Sequence, residues 1–315
     1  MLPIVIVNPK SAGGSTRDKW AGVAADLRAH FGPFKAAFTK CPGDGIGLAK
    51  RYARDGAKMI IACGGDGTIN EVVNGIMLSG ADCELGIFPS GTGGDFRRTI
   101  GMPTTPRDVA RSLRDGETRR IDLGSVKFKN ELGDDAQRYF INESSIGLAA
   151  AIIGRVKGST SLSWLPLDTV RGRASFALST LQEVVGLGPF ALRVQIDGSP
   201  KSGLRSVNLC IANARFFGGG MMIAPDAKLA DGLLDVVNVG DINTAKIILN
   251  AYSLYTGTHL ELPEVKSKLV RTISVGAEDP NEEIPISVDG ELPGFLPAEY
   301  SVVPAAIRLR VPSVT

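Results

Sequence analysis

An alternation restricts the fold more than anything else in this chain: short apolar runs and helix-period segments follow one another through the first 115 positions. Ile4-Val5-Ile6-Val7 reads as a strand buried on both faces, after which Trp20, Val23, Ala24 and Leu27 recur at helical spacing. The pattern continues with a strand over 34–39, a helix over 44–54 closed by Gly56, a strand over 58–63, a helix over 68–78 and a strand over 84–88. Pro106 behind Thr105 suits the first turn of one more helix, which runs to Arg114. Strands separated by helices form crossover units in a parallel sheet. In such sheets ligands bind beyond the carboxyl ends of the strands.

From residue 121 the texture changes. Strand-like runs at 121–128, 138–141, 189–196, 206–213, 233–239, 268–275, 284–288 and 306–311 dominate, with helical patterns at 148–156, 174–185 and 244–255 between them. Strand-rich sequence punctuated by turn residues predicts an antiparallel, sandwich-like second domain. The expected division is 1–125 for the α/β domain and 126–315 for the sandwich, with the extreme C-terminal segment open to returning to the first domain.

Charge excludes little: 35 Lys and Arg against 33 Asp and Glu give +2, and with no recognition motif nothing points to nucleic acid. Cysteines at 41, 63, 83 and 210 have no C-x-x-C spacing, so neither a zinc site nor a disulfide framework is expected, in keeping with a reducing cytosol. No basic, apolar and small-residue leader opens the chain, and no apolar run reaches the ~18 residues of a membrane span. The expectation is a cytoplasmic protein, peripheral at most to a membrane.

Glycine is in surplus: 38 of 315 residues, about 12% against a usual ~7%. The strand at 58–63 runs into Gly64-Gly65-Asp66-Gly67-Thr68, directly ahead of the helix that begins Ile69-Asn70-Glu71. Glycines permit positive φ and let backbone N–H groups approach an anion, and a helix N-terminus adds free donors and partial positive charge. A second cluster, Pro89-Ser90-Gly91-Thr92-Gly93-Gly94-Asp95-Phe96, follows the next strand, and Asn8-Pro9-Lys10-Ser11-Ala12-Gly13-Gly14 follows the first. Neighbouring loops of a parallel sheet face one crevice, so these donors and the carboxylates Asp66 and Asp95 are placed to converge on one ligand. By itself Asp95 would read as a helix N-cap. There is no Walker A pattern, no G-x-G-x-x-G at the first turn and no G-x-S-x-G elbow, and the two histidines, His30 and His259, lack metal-ligand spacing.

The run from Gly64 to Gly75, GGDGTINEVVNG, resembles the signature of the diacylglycerol kinase catalytic domain, shared with sphingosine and ceramide kinases and soluble bacterial lipid kinases. The Asn8 loop resembles the family's N-P-x-S-G-x-G opening, and Gly91-Thr92 with Asp95-Phe96 its G-T-x-N-D-F element. Here Gly94 stands where the family usually has Asn. Ala224-Pro225-Asp226-Ala227-Lys228 with Asp231-Gly232-Leu233-Leu234-Asp235 resembles the segment that holds a structural magnesium in bacterial members, and Val288-Asp289-Gly290-Glu291 the segment that carries the catalytic base. The motifs stand in the family's order across nearly the whole chain.

The resemblance implies a three-layer α/β nucleotide-binding domain with an NAD kinase-like parallel sheet, an antiparallel β-sandwich domain, and an active site in the cleft between them. It implies ATP and Mg2+ as cofactors, with the nucleotide on Asn8, Pro9, Lys10, Ser11, Thr39, Gly64, Gly65, Asp66, Gly67, Thr68, Ile69, Asn70, Glu71, Gly91 and Thr92. Carbonyls of Lys228 and Leu233 and the carboxylate of Asp231 would hold the structural magnesium, although Asp231-Gly232 is also an ordinary turn pair. The catalytic set would be Glu291 as base, Asp289 as the fallback, and Asp66 and Asp95 around the catalytic magnesium. Asp289-Gly290, too, reads as a turn on the residues alone.

A lipid acceptor calls for a membrane-facing surface. Arg155, Lys157, Arg171 and Arg173 around Trp164-Leu165-Pro166-Leu167 have the composition for one, or for a solvated loop. The acceptor expected is diacylglycerol-like. An NAD kinase-type soluble acceptor and a non-catalytic nucleotide sensor are the alternatives, and a homodimer is left open.

Overall fold

The computed structural model describes residues 2–91, 93–158 and 188–313, with backbone only over 155–158. By internal contacts the chain divides into one unit of residues 1–123, 229–231 and 303–315 and a second of 124–228 and 232–302.

The first unit alternates as its sequence does: β1 (Ile4–Val7), α1 (Ser15–His30), β2 (Lys35–Phe38), α2 (Asp44–Arg54), β3 (Met59–Gly64), α3 (Asp66–Ser79), β4 (Glu84–Pro89), α4 (Asp95–Thr99) and α5 (Pro106–Asp115). The strands pair in parallel in the order β2-β1-β3-β4, and Arg308 and Leu309 add a further parallel pairing beside Glu84 and Leu85. Val5, Val7, Met59, Ile61 and Phe88 form one core with Val23 and Leu27 of α1 and Val109 and Leu113 of α5. The alternate residues Ile4, Ile6, Ile60 and Ala62 point to the opposite face, where α2 and α3 pack. The result is three layers.

Gly75 sets the fit of α2 against α3: a Cβ there would lie 2.5 Å from the Ile46 carbonyl oxygen and 2.6 Å from Ala49 Cβ. At the start of β4 Glu84 is 5% exposed and accepts from Arg310 Nε (2.8 Å) and Thr118 Oγ1 (2.6 Å). Burial pushes its carboxyl up, but those bonds and the charges of Arg310 and Arg308 outweigh it and hold the group below the ordinary carboxylate range. Asp122 ties two returning segments of this unit together: its amide donates to the Leu229 carbonyl (2.6 Å), and its Oδ1 accepts from Ala305 N (2.7 Å).

The second unit is strand-rich: β5 (Glu117–Asn130, which starts in the first unit), β6 (Asp135–Phe140), β7 (Glu143–Gly147), α6 (Leu148–Gly158), β8 (Phe190–Ile196), β9 (Ser202–Ser206), β10 (Asn208–Ala212), the short β11 (Phe216–Phe217) and β12 (Met221–Met222), and β13 (Leu234–Val239). After α7 (Thr244–Asn250) and α8 (Ser253–Thr256) come β14 (Val265–Val270), β15 (Thr272–Ala277), β16 (Pro285–Val288) and β17 (Glu291–Val311). Pairing is antiparallel in the order β14-β13-β10-β7-β16-β17, with β15-β8-β9 continuing from β17 and β6 beside β5. Phe128, Phe140, Leu209, Ile211, Val275, Ile286 and Tyr300 sit in its main core.

Several elements depart from the sequence pattern. The helix expected over 244–255 is two short ones, because Asn250 Nδ2 bonds back to the Lys246 carbonyl (2.8 Å) and Ser253 Oγ to that of Asn250 (2.6 Å), closing the first. The strand expected over 268–275 is two, parted at Arg271, where the chain leaves β13 and pairs with β8 and β17. The strand at 306–311 is only the end of β17. β7 escaped notice because Glu-Ser-Ser-Ile-Gly is polar, yet all five of its residues are buried. The helix expected over 174–185 lies outside the described residues.

Gly75→Ala tests the helix contact. Overpacking should cost about 1–3 kcal/mol, lowering the thermal midpoint by about 2–4 °C per kcal/mol when unfolding is followed by circular dichroism.

Candidate functional site

Because β1, β3 and β4 run parallel side by side, the loops after them emerge together, and side chains stitch the three into one surface. Asn8 Nδ2 donates to Thr68 Oγ1 (3.1 Å), and Lys10 N to Asn8 Oδ1 (3.0 Å). Ser11 Oγ donates to the Asn8 carbonyl (2.8 Å) and lies 2.7 Å from Thr16 Oγ1, which in turn lies 2.6 Å from Ser90 Oγ. Ser90 N donates to the Gly64 carbonyl (2.8 Å). The buried Thr16 is the hub, and sequence reasoning missed it: one threonine in a helix's first turn carries no signal of a contact 74 positions away.

The glycines serve this surface in two ways. Gly13 and Gly14, with φ +65° and +94°, take left-handed conformations that L side chains disfavour. Gly64, Gly65 and Gly91 do not; Gly64 and Gly91 answer to crowding instead. A Cβ on Gly91 would collide with Gly65 Cα, and one on Gly64 with the Thr68 side chain, so backbone meets backbone between the two loops.

α3 begins at Asp66, and Gly65 offers no capping side chain, so the first amides of the helix lack intrahelical acceptors and present donors with the helix dipole behind them. The Asp66 carboxylate accepts from Asp95 N and Phe96 N, both at 3.2 Å, and so caps α4. Asp95 is 6% exposed and pairs with Arg98 at 3.0 Å. A Cβ on Gly93 would lie 2.7 Å from Asp66 Oδ2 and 3.9 Å from Asp95 Oδ2, so the two carboxylates flank a space that only glycine leaves open. Gly94 has φ +65° and ψ +37°, the left-handed region in which Asn is the best tolerated side chain after Gly. Replacing Asn by Gly there preserves the backbone.

Other residues of the expected nucleotide set sit differently. Thr39 follows β2, is buried, and donates its amide to the Val7 carbonyl (2.9 Å). Lys10 is exposed, Pro9 half-buried, and Gly67 sits in the first turn of α3. Ile69 is in the core, and Asn70 is buried, with its carbonyl accepting from Asn74 Nδ2 (3.0 Å). Glu71 has both oxygens on the start of α2, accepting from Gly43 N (2.8 Å) and Gly45 N (2.9 Å). Thr92 lies outside the described residues, as do 164–167, Arg171 and Arg173 and the side chains of Arg155 and Lys157.

In the second unit Val288 pairs with Glu291 across a two-residue turn. Asp289 and Gly290 both have positive φ, +46° and +81°, as a primed hairpin turn requires. Glu291 is exposed, whereas Asp289 is 8% exposed. The Asp289 carboxylate accepts from three backbone amides, Ile141 N (2.9 Å), Asn142 N (2.9 Å) and Glu143 N (3.0 Å). Beneath lies a buried polar layer that the sequence did not announce: Glu143 accepts from the Ser145 hydroxyl and from Cys210 Sγ (3.6 Å), and Ser144 Oγ donates to the Ser287 carbonyl (2.5 Å). Burial first, then the Glu143 charge, pushes the Cys210 thiol well above its ordinary range, and burial does the same to the Tyr300 phenol.

Of the expected structural-metal residues, Lys228 and Leu233 belong to the second unit and Asp231 to the first. Lys228 and Asp231 are exposed and Leu233 half-buried. Among the described residues no three His, Cys, Asp or Glu side chains form a metal cage; a site built on carbonyls would use only one, Asp231. Gly218, Gly219 and Gly220, with φ of +59°, +87° and +116°, form the turn between β11 and β12 ahead of this segment. Among the described residues no helix is long and apolar enough to cross a membrane.

His259 anchors the 223–227 stretch from below, its Nε2–H donating to the Ile223 carbonyl (3.0 Å). Burial pushes the imidazole below its ordinary range, against the opposing effect of its backbone hydrogen bonds. The unfolded chain therefore takes up a proton near pH 6.5 that the folded chain refuses, and stability is lost as pH falls from there, by at most about 1.4 kcal/mol per pH unit. Urea unfolding from about pH 7.5 to 5.5 should show this slope in the native sequence and a shallower one in His259→Gln.

Residues 3–126 match the family model described as diacylglycerol kinase catalytic domain, and residues 157–311 the one described as YegS C-terminal NAD kinase beta sandwich-like domain. The chain is 31% identical over 266 residues to the diacylglycerol kinase of Mycobacterium tuberculosis, covering 84% of this chain and 80% of that one. It is 30% identical to the Bacillus subtilis diacylglycerol kinase, covering 83% and 80% respectively. A crystal structure of a diacylglycerol kinase from Bacillus anthracis, 24% identical, superposes with a TM-score of 0.74 over 98% of this chain and 96% of that one, which shows a shared fold.

Proposed function

The chain belongs to the diacylglycerol kinase family, phosphotransferases with an alcohol acceptor, and from that premise we propose that it transfers the γ-phosphoryl group of ATP to the hydroxyl of a diacylglycerol-like lipid. The observation that carries this reading is the stitched surface at the ends of β1, β3 and β4, where the first amides of α3 and the glycine backbone offer donors to phosphate oxygens. Asn8, Thr68, Ser11, Ser90 and Gly91 shape that surface. Ile69, Asn70 and Glu71 support it from behind, and Thr39 stands at the next strand end.

Mg2+ suits the carboxylate pair around Gly93, since a hard cation takes oxygen ligands and an amide-bonded Asp66 still has lone pairs for it or its waters. Bound there, it would supply charge neutralisation to the phosphates. A second magnesium on the carbonyls of Lys228 and Leu233 with Asp231 is part of the same proposal, as a structural ion.

Phosphoryl transfer also needs a carboxylate to take the acceptor's proton. Exposed Glu291 suits that role better than Asp289, whose oxygens are occupied by three amides. An acceptor of this kind is reached at a lipid surface, so the enzyme works as a peripheral protein.

Turnover of ATP and Mg2+ with diacylglycerol in mixed micelles, read by mass spectrometry, tests the reading. Glu291→Gln should lower kcat about 100-fold or more with little change in KM for ATP. Gly91→Ala, which forces the two loops apart, should raise KM for ATP about tenfold. Wild-type turnover in Glu291→Gln removes the base assignment, and phosphorylated NAD in a parallel reaction without any lipid product replaces the acceptor.

A further inference from the structure

The bend between β6 and β7 poses a problem that Asp289 solves. At Ile141 and Asn142 the chain leaves one strand for the next and its amides lose ladder partners, while the site is buried. Every backbone polar group of the three residues is nonetheless satisfied. The amides of Ile141, Asn142 and Glu143 donate to the Asp289 carboxylate, and the Glu143 carbonyl accepts from Asp289 N (2.9 Å). The Ile141 carbonyl accepts from Asn213 Nδ2 (2.9 Å), and that of Asn142 from the amides of Asn213 (2.8 Å) and Ala214 (3.0 Å). One aspartate thus holds the bend to the turn whose next-but-one residue is Glu291.

The same device occurs a second time in this unit, away from that turn. Asp197-Gly198 joins β8 to β9 with φ of +47° and +73°. Asp197 N donates to the Thr272 carbonyl (3.0 Å), and Asp197 Oδ1 accepts from Arg271 N (2.9 Å) and Thr272 N (2.8 Å) at the break between β14 and β15. In both places an aspartate at the first position of an Asp-Gly turn donates its own amide to the carbonyl of one residue and takes the amides of a neighbouring kink, that residue's included, on its carboxylate. At Asp197 the arrangement has no base to serve, which identifies the geometry as structural in origin.

Resting on the reading of Glu291 as base, we infer that Asp289 is a positioning residue: it takes no proton from the acceptor, and by holding the amides of Ile141, Asn142 and Glu143 it fixes the turn that carries Glu291. Three backbone amides already take up most of the acceptor capacity of the Asp289 carboxylate and commit it to holding the bend, whereas Glu291, in the first position of β17, takes its backbone placement from the turn before it. Loosening the turn misplaces the base without removing it, and misplacement alone lowers turnover.

The test compares Asp289→Asn, Glu291→Gln, the double variant and Asp197→Asn, measuring kcat and KM for ATP and diacylglycerol in mixed micelles across the pH range, thermal midpoints, and amide exchange over 141–143. Asp289→Asn should lower kcat about 10- to 100-fold, leave KM for ATP within about threefold, keep the acid limb of the pH–rate profile and speed exchange at 141–143. In the Glu291→Gln background it should cost nothing further, since it acts through that residue. Asp197→Asn should melt earlier yet keep wild-type kcat. If Asp289→Asn does not fold, Asp289→Glu takes its place, expected to lose kcat although a carboxylate is retained. Wild-type kcat in Asp289→Asn or Asp289→Glu, losses that multiply in the double variant, disappearance of the acid limb, or unchanged exchange at 141–143 overturns the inference while leaving Glu291 as base. Wild-type kcat in Glu291→Gln overturns both.

Discussion

Backbone touching backbone at Gly65 and Gly91 is the constraint on which the first unit depends. β3 and β4 lie side by side, and the loops that leave them meet with no side chain between. That closeness lets the Gly64 carbonyl reach Ser90 N, lets Asp66 cap α4, and brings the start of α3 up to the Asn8 loop through Thr68. A methyl group at Gly91 would separate the loops and break these bonds together, whereas one at Gly65 would make ordinary contact, 3.5 Å from Gly91 Cα. Gly94 obeys a different rule, tolerating a left-handed backbone in place of avoiding a clash, which is why a departure from the family pattern at that position leaves the geometry of Asp95 intact.

The first unit was legible in its sequence because nearly every strand buries both faces and every crossover helix has an apolar stripe: β1 and β3 are wholly buried, and α2 and α5 begin and end where capping and turn residues place them. The second unit was less so. β7 fills the middle of a sheet with Glu143, Ser144 and Ser145, whose polarity is absorbed by the bond between Glu143 and Ser145 and by hydrogen bonds to Cys210 and Ser287, more than 60 positions away, and local sequence cannot foresee the distant ones. The glycine loops were found by composition, but the physical reason at Gly64 and Gly91 is crowding, which only neighbours in space reveal. Glu71 illustrates the converse: inside a recognisable motif, its side chain turns away from the loop and binds the start of a neighbouring helix.

Polar satisfaction in the second unit is organised by turns as much as by strands. Two Asp-Gly pairs supply both the reversal of the chain and the acceptors that a kinked neighbour lacks. A dipeptide that reads as simple punctuation therefore carries tertiary information.

The pairing of Arg308 and Leu309 with β4 also bears on how the molecule is made. Four strands of the first sheet are complete once residue 89 has left the ribosome, but the fifth arrives more than two hundred residues later. Throughout that interval the edge of β4 stands open, and the Glu84 carboxylate waits for the guanidinium groups of Arg308 and Arg310. An open strand edge beside an uncompensated acid is where a nascent chain mispairs or recruits a chaperone. Translation must reach residue 310 before the first unit has both its last strand and its missing counter-charge, so the earliest part of the chain to be synthesised is among the last to become whole.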